Sequence, residues 1–455
     1  MLSIELLIKN GRIITVDNNG TDIESGWIAI NDGRILAAGS GKDHEKLYAA
    51  DKIIDATGKV VFPGLINTHT HLFQTLLKGL GRDKPLIEWL DASVRNALPF
   101  YDEETCYYAA LVGCLESVHS GTTTVLDFMY ANTRPKLTDA VIKAFDTVGV
   151  RGIMGRGFTN VAGLPKANFC ELIDTVPNFL ADTERLLHEY PADQSDMISI
   201  CLAPGIIWDL NREEFQAVRQ FADKYKLPVT MHIVETEDDD AFSLDVNKKR
   251  TIEFLDEIGF FGPDVISVHS VYMQSGDIEI FKKHDVKVSY CPTSNMILAS
   301  GFAPIREFMK EGITVCLASD GAASNDSQDM IETMKNAALL QKVFYRDASV
   351  VSAYDVLKMA TINGAIALGK EKHLGSIEAG KKADLFIFNP MTAKTMPMNE
   401  PVAALVYSAG EENVDTMIIN GKVIMENKKI LTVDEEAILK EAAAVGARLR
   451  KKAGI

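Results

Sequence analysis

Short runs of apolar and β-branched residues alternate with stretches of helical pattern through most of the chain, and this alternation predicts βα units building a parallel sheet. Eight such runs are present: VVFPGLIN (60 to 67), TTTVLDF (122 to 128), RGIMGRGF (151 to 158), MISICLAP (197 to 204), LPVTMHIV (227 to 234), VISVHSVY (265 to 272), VKVSYCPTS (286 to 294) and ITVCLASD (313 to 320). Helical segments such as FQAVRQFADKYK and IEIFKKH separate them. Eight units of this regularity suggest a closed (β/α)8 TIM barrel, an α/β fold. A doubly wound open sheet is the alternative, but it does not need eight strands and no GxGxxG follows the first one. Further helices are expected from Ser352 to Leu368 and from Glu435 to Lys452.

Both chain ends follow another pattern. IELLIKNGRIITV and GWIAINDGRILAAG are apolar runs with Asn10-Gly11 and Asp32-Gly33 as turn signals. The same grammar returns in KKADLFIFNP and VDTMIINGKVIMENKKIL, with Asn420-Gly421. The expected organisation is a composite β-sandwich domain from residues 1–59 and 376–435, a barrel at 60–375 and a C-terminal helix at 436–455.

Composition changes this picture little. With 455 residues, 47% hydrophobic and 24% charged, the chain reads as an ordinary globular protein. Its formal charge of -16 argues against nucleic-acid or anionic-membrane partners, which need a basic surface. No apolar run approaches the roughly 18 residues of a membrane span, and residues 1 to 30 carry no signal-peptide pattern, so a cytoplasmic location is expected. Cys106, Cys114, Cys170, Cys201, Cys291 and Cys316 lack CxxC spacing and are assigned neither a disulfide nor a metal.

In such a barrel every strand's C-terminal end faces one mouth, where reactive groups gather. His69 and His71 follow the first strand, His232 lies in the fifth, His269 in the sixth, and Asp320 ends the eighth. An isolated His-x-His is as often polar packing as a ligand pair; three histidines and an aspartate at barrel strand ends reverse that balance. Three neutral imidazoles and a carboxylate suit a borderline divalent ion such as zinc, so His69, His71, His232 and Asp320 are the proposed ligands. Glu235, three residues beyond His232, is the candidate proton shuttle; alone it would read as a solvated charge beside Glu237 to Asp240. His44, His119, His188, His284 and His373 fall in loops or helices and read as structural.

His69-Thr70-His71 after PGLIN, HIVE at 232 to 235, SVHS at 267 to 270 and SDGAASND at 319 to 326 together resemble the amidohydrolase superfamily, in its deaminase and chlorohydrolase branch. The likeness extends over nearly the whole chain, including the closing run LGSIEAGKKADLFIF. It implies one zinc or, in some members, iron ion whose hydroxide attacks an aromatic ring carbon that bears an amine or halide. Glu235 would move the proton, Asp320 would help deprotonate the water and His269 would hydrogen-bond the attacking oxygen. Binuclear relatives carry a lysine on the fourth strand; MISICLAP has none, which favours one metal.

Substrate contacts follow from the same resemblance. Gln74 and Trp89 lie in the long first loop, Arg156 ends the third strand, Trp208 follows the fourth, and Asn295 follows the seventh. Trp89 has a packing role as its other reading, and Arg156 a surface ion pair. SDGAASND and LLQK look most like methylthioadenosine and S-adenosylhomocysteine deaminases, but two departures stand out. Ile87 replaces a glutamate used for ribose hydroxyls, and Gly205 replaces a histidine; both losses remove polar readers of a nucleoside, which favours a free base, pterin or triazine with Trp208 as an apolar wall. Many relatives also carry histidine at Tyr290. The expected activity is hydrolytic deamination of an amino-substituted N-heterocycle: a purine base or nucleoside, pterin or triazine. A triazine chlorohydrolase or N-alkylaminohydrolase, a cyclic amidohydrolase and a non-catalytic binding protein are the alternatives. A small heterocyclic molecule is the expected partner, with homo-oligomerisation left open.

Overall fold

The computed structural model describes residues 1–158, 174–191 and 196–455. Eight parallel strands, Leu65–Thr70, Thr122–Met129, Arg151–Gly157, Ile198–Ala203, Val229–Ile233, Val265–His269, Lys287–Tyr290 and Val315–Leu317, lie side by side in chain order. These are barrel strands one to eight. Side chains help to close the barrel between strands eight and one. The Asp320 N–H donates to the His69 carbonyl at 3.0 Å, the Thr68 hydroxyl to the Leu317 carbonyl at 2.9 Å, and the Asn67 amide to the Ser319 hydroxyl at 2.7 Å. Most strand residues are buried on both faces, which explains why the runs are continuously apolar rather than alternating. Ile66, Leu126, Ile153, Cys201, Ile266 and Cys316 pack with Ala365, Leu368 and Leu374 in one cluster.

Strands from both chain ends build a separate nine-stranded mixed sheet. Leu2–Ile14, Asp22–Asn31, Arg34–Ser40, Tyr48–Asp55 and Val60–Pro63 come from the first part, and Leu385–Phe388, Val414–Ile419, Lys422–Glu426 and Lys429–Ile430 from the last. The run at 60 to 67 is therefore not one barrel strand, which corrects the expected start at residue 60. Val61 pairs with Ile13 and Phe62 with Phe386 in the accessory sheet, and the barrel begins at Leu65. Gly64 makes the crossing, because a Cβ there would collide with the Thr123 side chain.

Alternation then sends the two faces of this sheet to different cores. Val61, Leu385, Ile387 and Ile418 pack with Leu6, Ile8 and Ile28 in the sheet's own core. Phe62, Phe386 and Phe388 belong to the large core that includes the barrel residues, with the Phe62 and Phe386 rings stacked at 5.4 Å. Arg151 adds a buried link from barrel strand three, its Nε donating to Asp384 Oδ2 at 2.8 Å and Nη2 to Oδ1 at 3.1 Å.

The helix expected from Ser352 to Leu368 is two, Ala353–Met359 and Ile362–Ala367. It breaks at Thr361, whose φ of -134° and ψ of -97° are not helical, next to Ala360, whose carbonyl accepts the Ile66 N–H at 2.8 Å. The last helix, Glu435–Ala453, packs on the Glu103–His119 helix. Among the described residues no helix is long and apolar enough to cross a membrane.

Candidate metal centre and substrate cavity

His69 and His71 end barrel strand one and are both buried. His71 Nδ1 lies 2.7 Å from the Phe128 carbonyl, so it must donate, and the Nε2 lone pair is left to face the barrel mouth. His232 is held the same way, its Nδ1 3.3 Å from the Gly205 carbonyl that also accepts its backbone N–H at 3.2 Å. The Nε2 atoms of His71 and His232 then confront each other at 3.3 Å, two lone pairs with no proton between them. Among the described residues neither ring nitrogen of buried His69 has a hydrogen-bond partner, although Nε2 lies 3.3 Å from Asp320 Oδ1. The same Oδ1 is 3.5 Å from His71 Nε2.

Charge states complete the fit. Burial, reinforced by neighbouring His69, pushes the His71 imidazole down to about 3 and drives His232 well below the usual histidine range. Burial opposes ionisation of Asp320, but His69, His269 and His71 outweigh it and hold the carboxyl well below its ordinary value. Neutral imidazole nitrogens and an ionised carboxylate, converging with unpartnered lone pairs, are the donor set of a borderline divalent cation. Cys291 forms a close set with His269 and Asp320, but burial keeps its thiol protonated and a poor ligand.

Glu235 reaches this centre through a strained turn. Barrel strand five ends at Ile233, and Val234 adopts a φ of +47°, rare for a β-branched residue. Its carbonyl is pinned by the N–H groups of Val271 and Tyr272 at 3.0 and 2.9 Å. The Glu235 N–H donates to Asp239 Oδ2 at 2.8 Å, and Glu235 Oε2 lies 3.5 Å from His269 Nε2. Burial first, then the charges of Asp320 and Asp239, hold the Glu235 carboxyl well above the usual range. His269 and, beyond the end of strand eight at Leu317, Asp320 also adopt positive φ, +71° and +65°. Burial lowers His269 to about 4, so its ring is neutral in this setting.

One cavity opens over these groups. His71, His232, Glu235, His269 and Asp320 line it, and Leu86, Leu90, Leu98, Phe158, Ile206 and Leu298 make much of the remainder apolar. Gln74, Trp89 and Trp208 line it too. Gln74 Nε2 donates to the Tyr130 hydroxyl at 2.8 Å, while Trp89 Nε1 donates to the Ala323 carbonyl at 3.0 Å, so the indole both braces its loop and borders the cavity.

Arg156 and Asn295 are not among the lining residues. The Arg156 guanidinium is buried and paired with Asp182 and Asp174, each at 2.8 Å, a buried ion pair rather than the surface one raised above. Asn295 sits behind His269, its amide nitrogen 3.2 Å from Nδ1, where it orients the ring. Tyr290 is directed elsewhere, its hydroxyl accepting from Gln341 Nε2 at 3.0 Å. Ile87 is half-buried beside the lining residue Leu86.

Sequence reasoning passed over Phe128, Tyr130, Asp209 and Ser324, which all line the cavity. Phe128 and Tyr130 share the i, i+2 spacing of His69 and His71 at the neighbouring strand end, a signal that was available. Ser324, whose hydroxyl donates to Asp320 Oδ2 at 3.2 Å, lay within SDGAASND. Of the cysteines, Cys106, Cys114, Cys201, Cys291 and Cys316 are free and buried; Cys170 lies outside the described residues.

Comparison with known proteins identifies relatives over nearly the whole chain. A sequence profile of the amidohydrolase family matches residues 60–424. A 5′-deoxyadenosine deaminase of Methanobrevibacter smithii is 36% identical over 440 residues, 96% of each chain. A 5-methylthioadenosine/S-adenosylhomocysteine deaminase of Syntrophomonas wolfei is 33% identical over 447 residues, 98% of this chain and 99% of that one. Among solved structures, an adenosine deaminase from Xanthomonas campestris with bound zinc superposes with a TM-score of 0.91 at 28% identity, covering 99% of both chains. With the profile running through the barrel into the accessory sheet, and relatives alike along nearly the whole length, the protein belongs to the amidohydrolase family.

Proposed function

We propose that the protein is a mononuclear metal-dependent aminohydrolase that removes the exocyclic amine of an adenine-type nucleoside. The observation that carries this reading is the placement of Glu235: a buried carboxyl that keeps its proton, 3.5 Å from His269 and bordering the same cavity as His71, His232 and Asp320. His69, His71, His232 and Asp320 would hold the ion, zinc first and iron second. Bound there, a divalent cation supplies the Lewis acidity that makes water a competent nucleophile near neutral pH.

The chain's own groups do the rest. Asp320, ionised, accepts a proton from the attacking water, and the His269 ring hydrogen-bonds the incoming oxygen. Glu235 gives its proton to a ring nitrogen as the oxygen adds to the adjacent carbon. Asp320 passes the proton it took to the exocyclic amine, the carbon–nitrogen bond breaks as ammonia leaves, and the hydroxyl proton of the product returns to Glu235. A leaving amine must be protonated and a leaving chloride need not be, so a site with two proton carriers, Glu235 and Asp320, favours deamination over dehalogenation. The apolar walls suit a flat ring with an uncharged substituent. The deaminase relatives named for 5′-deoxyadenosine and 5-methylthioadenosine support the adenine class over pterins and triazines. Buried free thiols suit a reducing, cytoplasmic setting.

Ammonia release by the zinc-loaded protein tests this against 5′-deoxyadenosine, 5′-methylthioadenosine, adenosine, a pterin and an aminotriazine, with chloride release followed on a chlorotriazine. Ammonia from the adenine nucleosides, abolished by chelation and restored by zinc, is the expected result. Ammonia from the pterin or triazine alone, or chloride alone, would replace the substrate class.

A further inference from the structure

The peptide that follows Asp320 is turned against the preference of its residue, and a fully buried glutamine, Gln328, lies against it. Asp320 has a φ of +65°, a conformation that non-glycine residues keep only under outside restraint. Its N–H is taken by the His69 carbonyl at 3.0 Å. Its own carbonyl lies 3.0 Å from Gln328 Nε2, 3.0 Å from the Thr70 hydroxyl and 3.1 Å from the Ser319 hydroxyl.

Gln328 stands at the centre of this set. Its Oε1 is 2.8 Å from the Thr70 hydroxyl and 3.1 Å from that of Ser319. Two hydroxyl protons and one amide proton therefore serve two oxygens, Gln328 Oε1 and the Asp320 carbonyl. The direction of the amide is forced, because reversing it would set its oxygen against the Asp320 carbonyl. The main chain is anchored separately, the Gln328 N–H donating at 2.8 Å to Glu116 Oε1 on the Glu103–His119 helix. Since Thr70 lies between His69 and His71, one side chain ties the His-x-His end of strand one to the aspartate beyond strand eight.

The rings of His71 and His232 are oriented by carbonyls at Nδ1, but among the described residues neither nitrogen of His69 is held in that way. On the side of the centre where His69 meets Asp320, direction has to come through the backbone. Resting on the metal-site reading above, we infer that Gln328 is a positioning residue for the metal centre: it fixes the turn at Asp320 and so the approach of its carboxylate to His69 and His71. An apolar side chain would fill the same space without the cost of burying an amide, but it would leave the Asp320 peptide without that restraint.

The test is zinc affinity, read by competition with a chromophoric chelator, in Gln328→Met, which keeps the length of the side chain and removes its hydrogen bonds. Loss of an outer partner of metal ligands costs roughly 10- to 100-fold in affinity, and the variant should lose zinc affinity in that range. At saturating zinc its ammonia release should fall through kcat with KM held, because Gln328 does not border the cavity. Gln341→Met is the matched control: Gln341 is also fully buried and donates to the Tyr290 hydroxyl at 3.0 Å and the Ala303 carbonyl at 3.1 Å, away from the proposed ligands. It should lower the melting temperature of zinc-free protein and leave zinc affinity as in the wild type. Should Gln328→Met fail to fold, Thr70→Val removes the hydroxyl at the other end of the network and should weaken zinc binding in the same direction. Wild-type affinity in the folded variant, or an equal loss in Gln341→Met, would overturn the inference. A wild type that binds zinc but releases ammonia from no heterocycle, with the affinity difference retained, would refute the proposed activity and uphold the role of Gln328; a wild type that binds no zinc would overturn both.

Discussion

Replacing Glu235 by glutamine separates what the carboxyl does for turnover from what its burial does to the fold. The amide is nearly isosteric, and the backbone N–H remains held by Asp239 Oδ2, so position is kept while the transferable proton is lost. A general acid/base contributes roughly 10²- to 10⁴-fold, about 3 to 5 kcal/mol of barrier. With His69, His71, His232 and Asp320 untouched, zinc content should match the wild type. Stability should move the other way in metal-free protein. Burial, with the charges of Asp320 and Asp239, raises the folded-state carboxyl well above its ordinary 4.5. Above that unfolded-state value the unfolded chain releases a proton that the folded chain keeps, so this group's contribution to stability falls as pH rises towards the folded value. Glutamine carries no such loss, so chelated Glu235→Gln should melt above chelated wild type at pH 8, with a gap that narrows towards pH 5. Ammonia kinetics, zinc analysis and calorimetry across that range check all three outcomes. A kcat within tenfold of wild type would remove Glu235 from the proton path, and a pH-independent melting difference would refute the electrostatic argument.

Two structural variants test how barrel and accessory sheet are joined. Arg151→Ala leaves the Asp384 carboxylate buried without its bidentate partner and should cost about 3 to 5 kcal/mol in urea unfolding, whereas a loss below about 1 kcal/mol would mean that solvent reaches the pair. Gly64→Ala forces a methyl into the Thr123 side chain and should cost about 1 to 3 kcal/mol by overpacking; an unchanged midpoint would show that the crossing can shift.

The barrel was legible because burial of both strand faces writes continuous apolar runs, and strand ends gather at one mouth whatever lies between them. The same property hid the break at Gly64. Val60–Pro63 and Leu65–Thr70 are both buried, one in each sheet, so hydrophobicity does not change where the chain passes between them. Pro63-Gly64 was the only local mark. Arg156 illustrates the other limit: its strand-end position was readable, but its direction is set by Asp174 and Asp182, which arrive from later in the chain. Asn295 was recognised at the site, and only the fold distinguishes facing the cavity from backing His269.

Backbone strain at the mouth escapes sequence patterns altogether. Val234, His269 and, beyond the end of strand eight at Leu317, Asp320 all adopt positive φ, a conformation that costs non-glycine residues of order 1 to 3 kcal/mol each. The fold holds them there from both sides: the Val234 carbonyl by Val271 and Tyr272, and the Asp320 N–H by the His69 carbonyl across the barrel seam. That last bond makes two of the proposed metal ligands partners in barrel closure, so the register of strands one and eight and the approach of His69 to Asp320 are set together. The proposed proton carrier depends on the same geometry, because the turn at Val234 brings Glu235 back to within 3.5 Å of His269 rather than outwards with the acidic helix that follows. A valine there contradicts local preference, and its presence marks a place where the geometry of the reaction outweighs the preference of the residue.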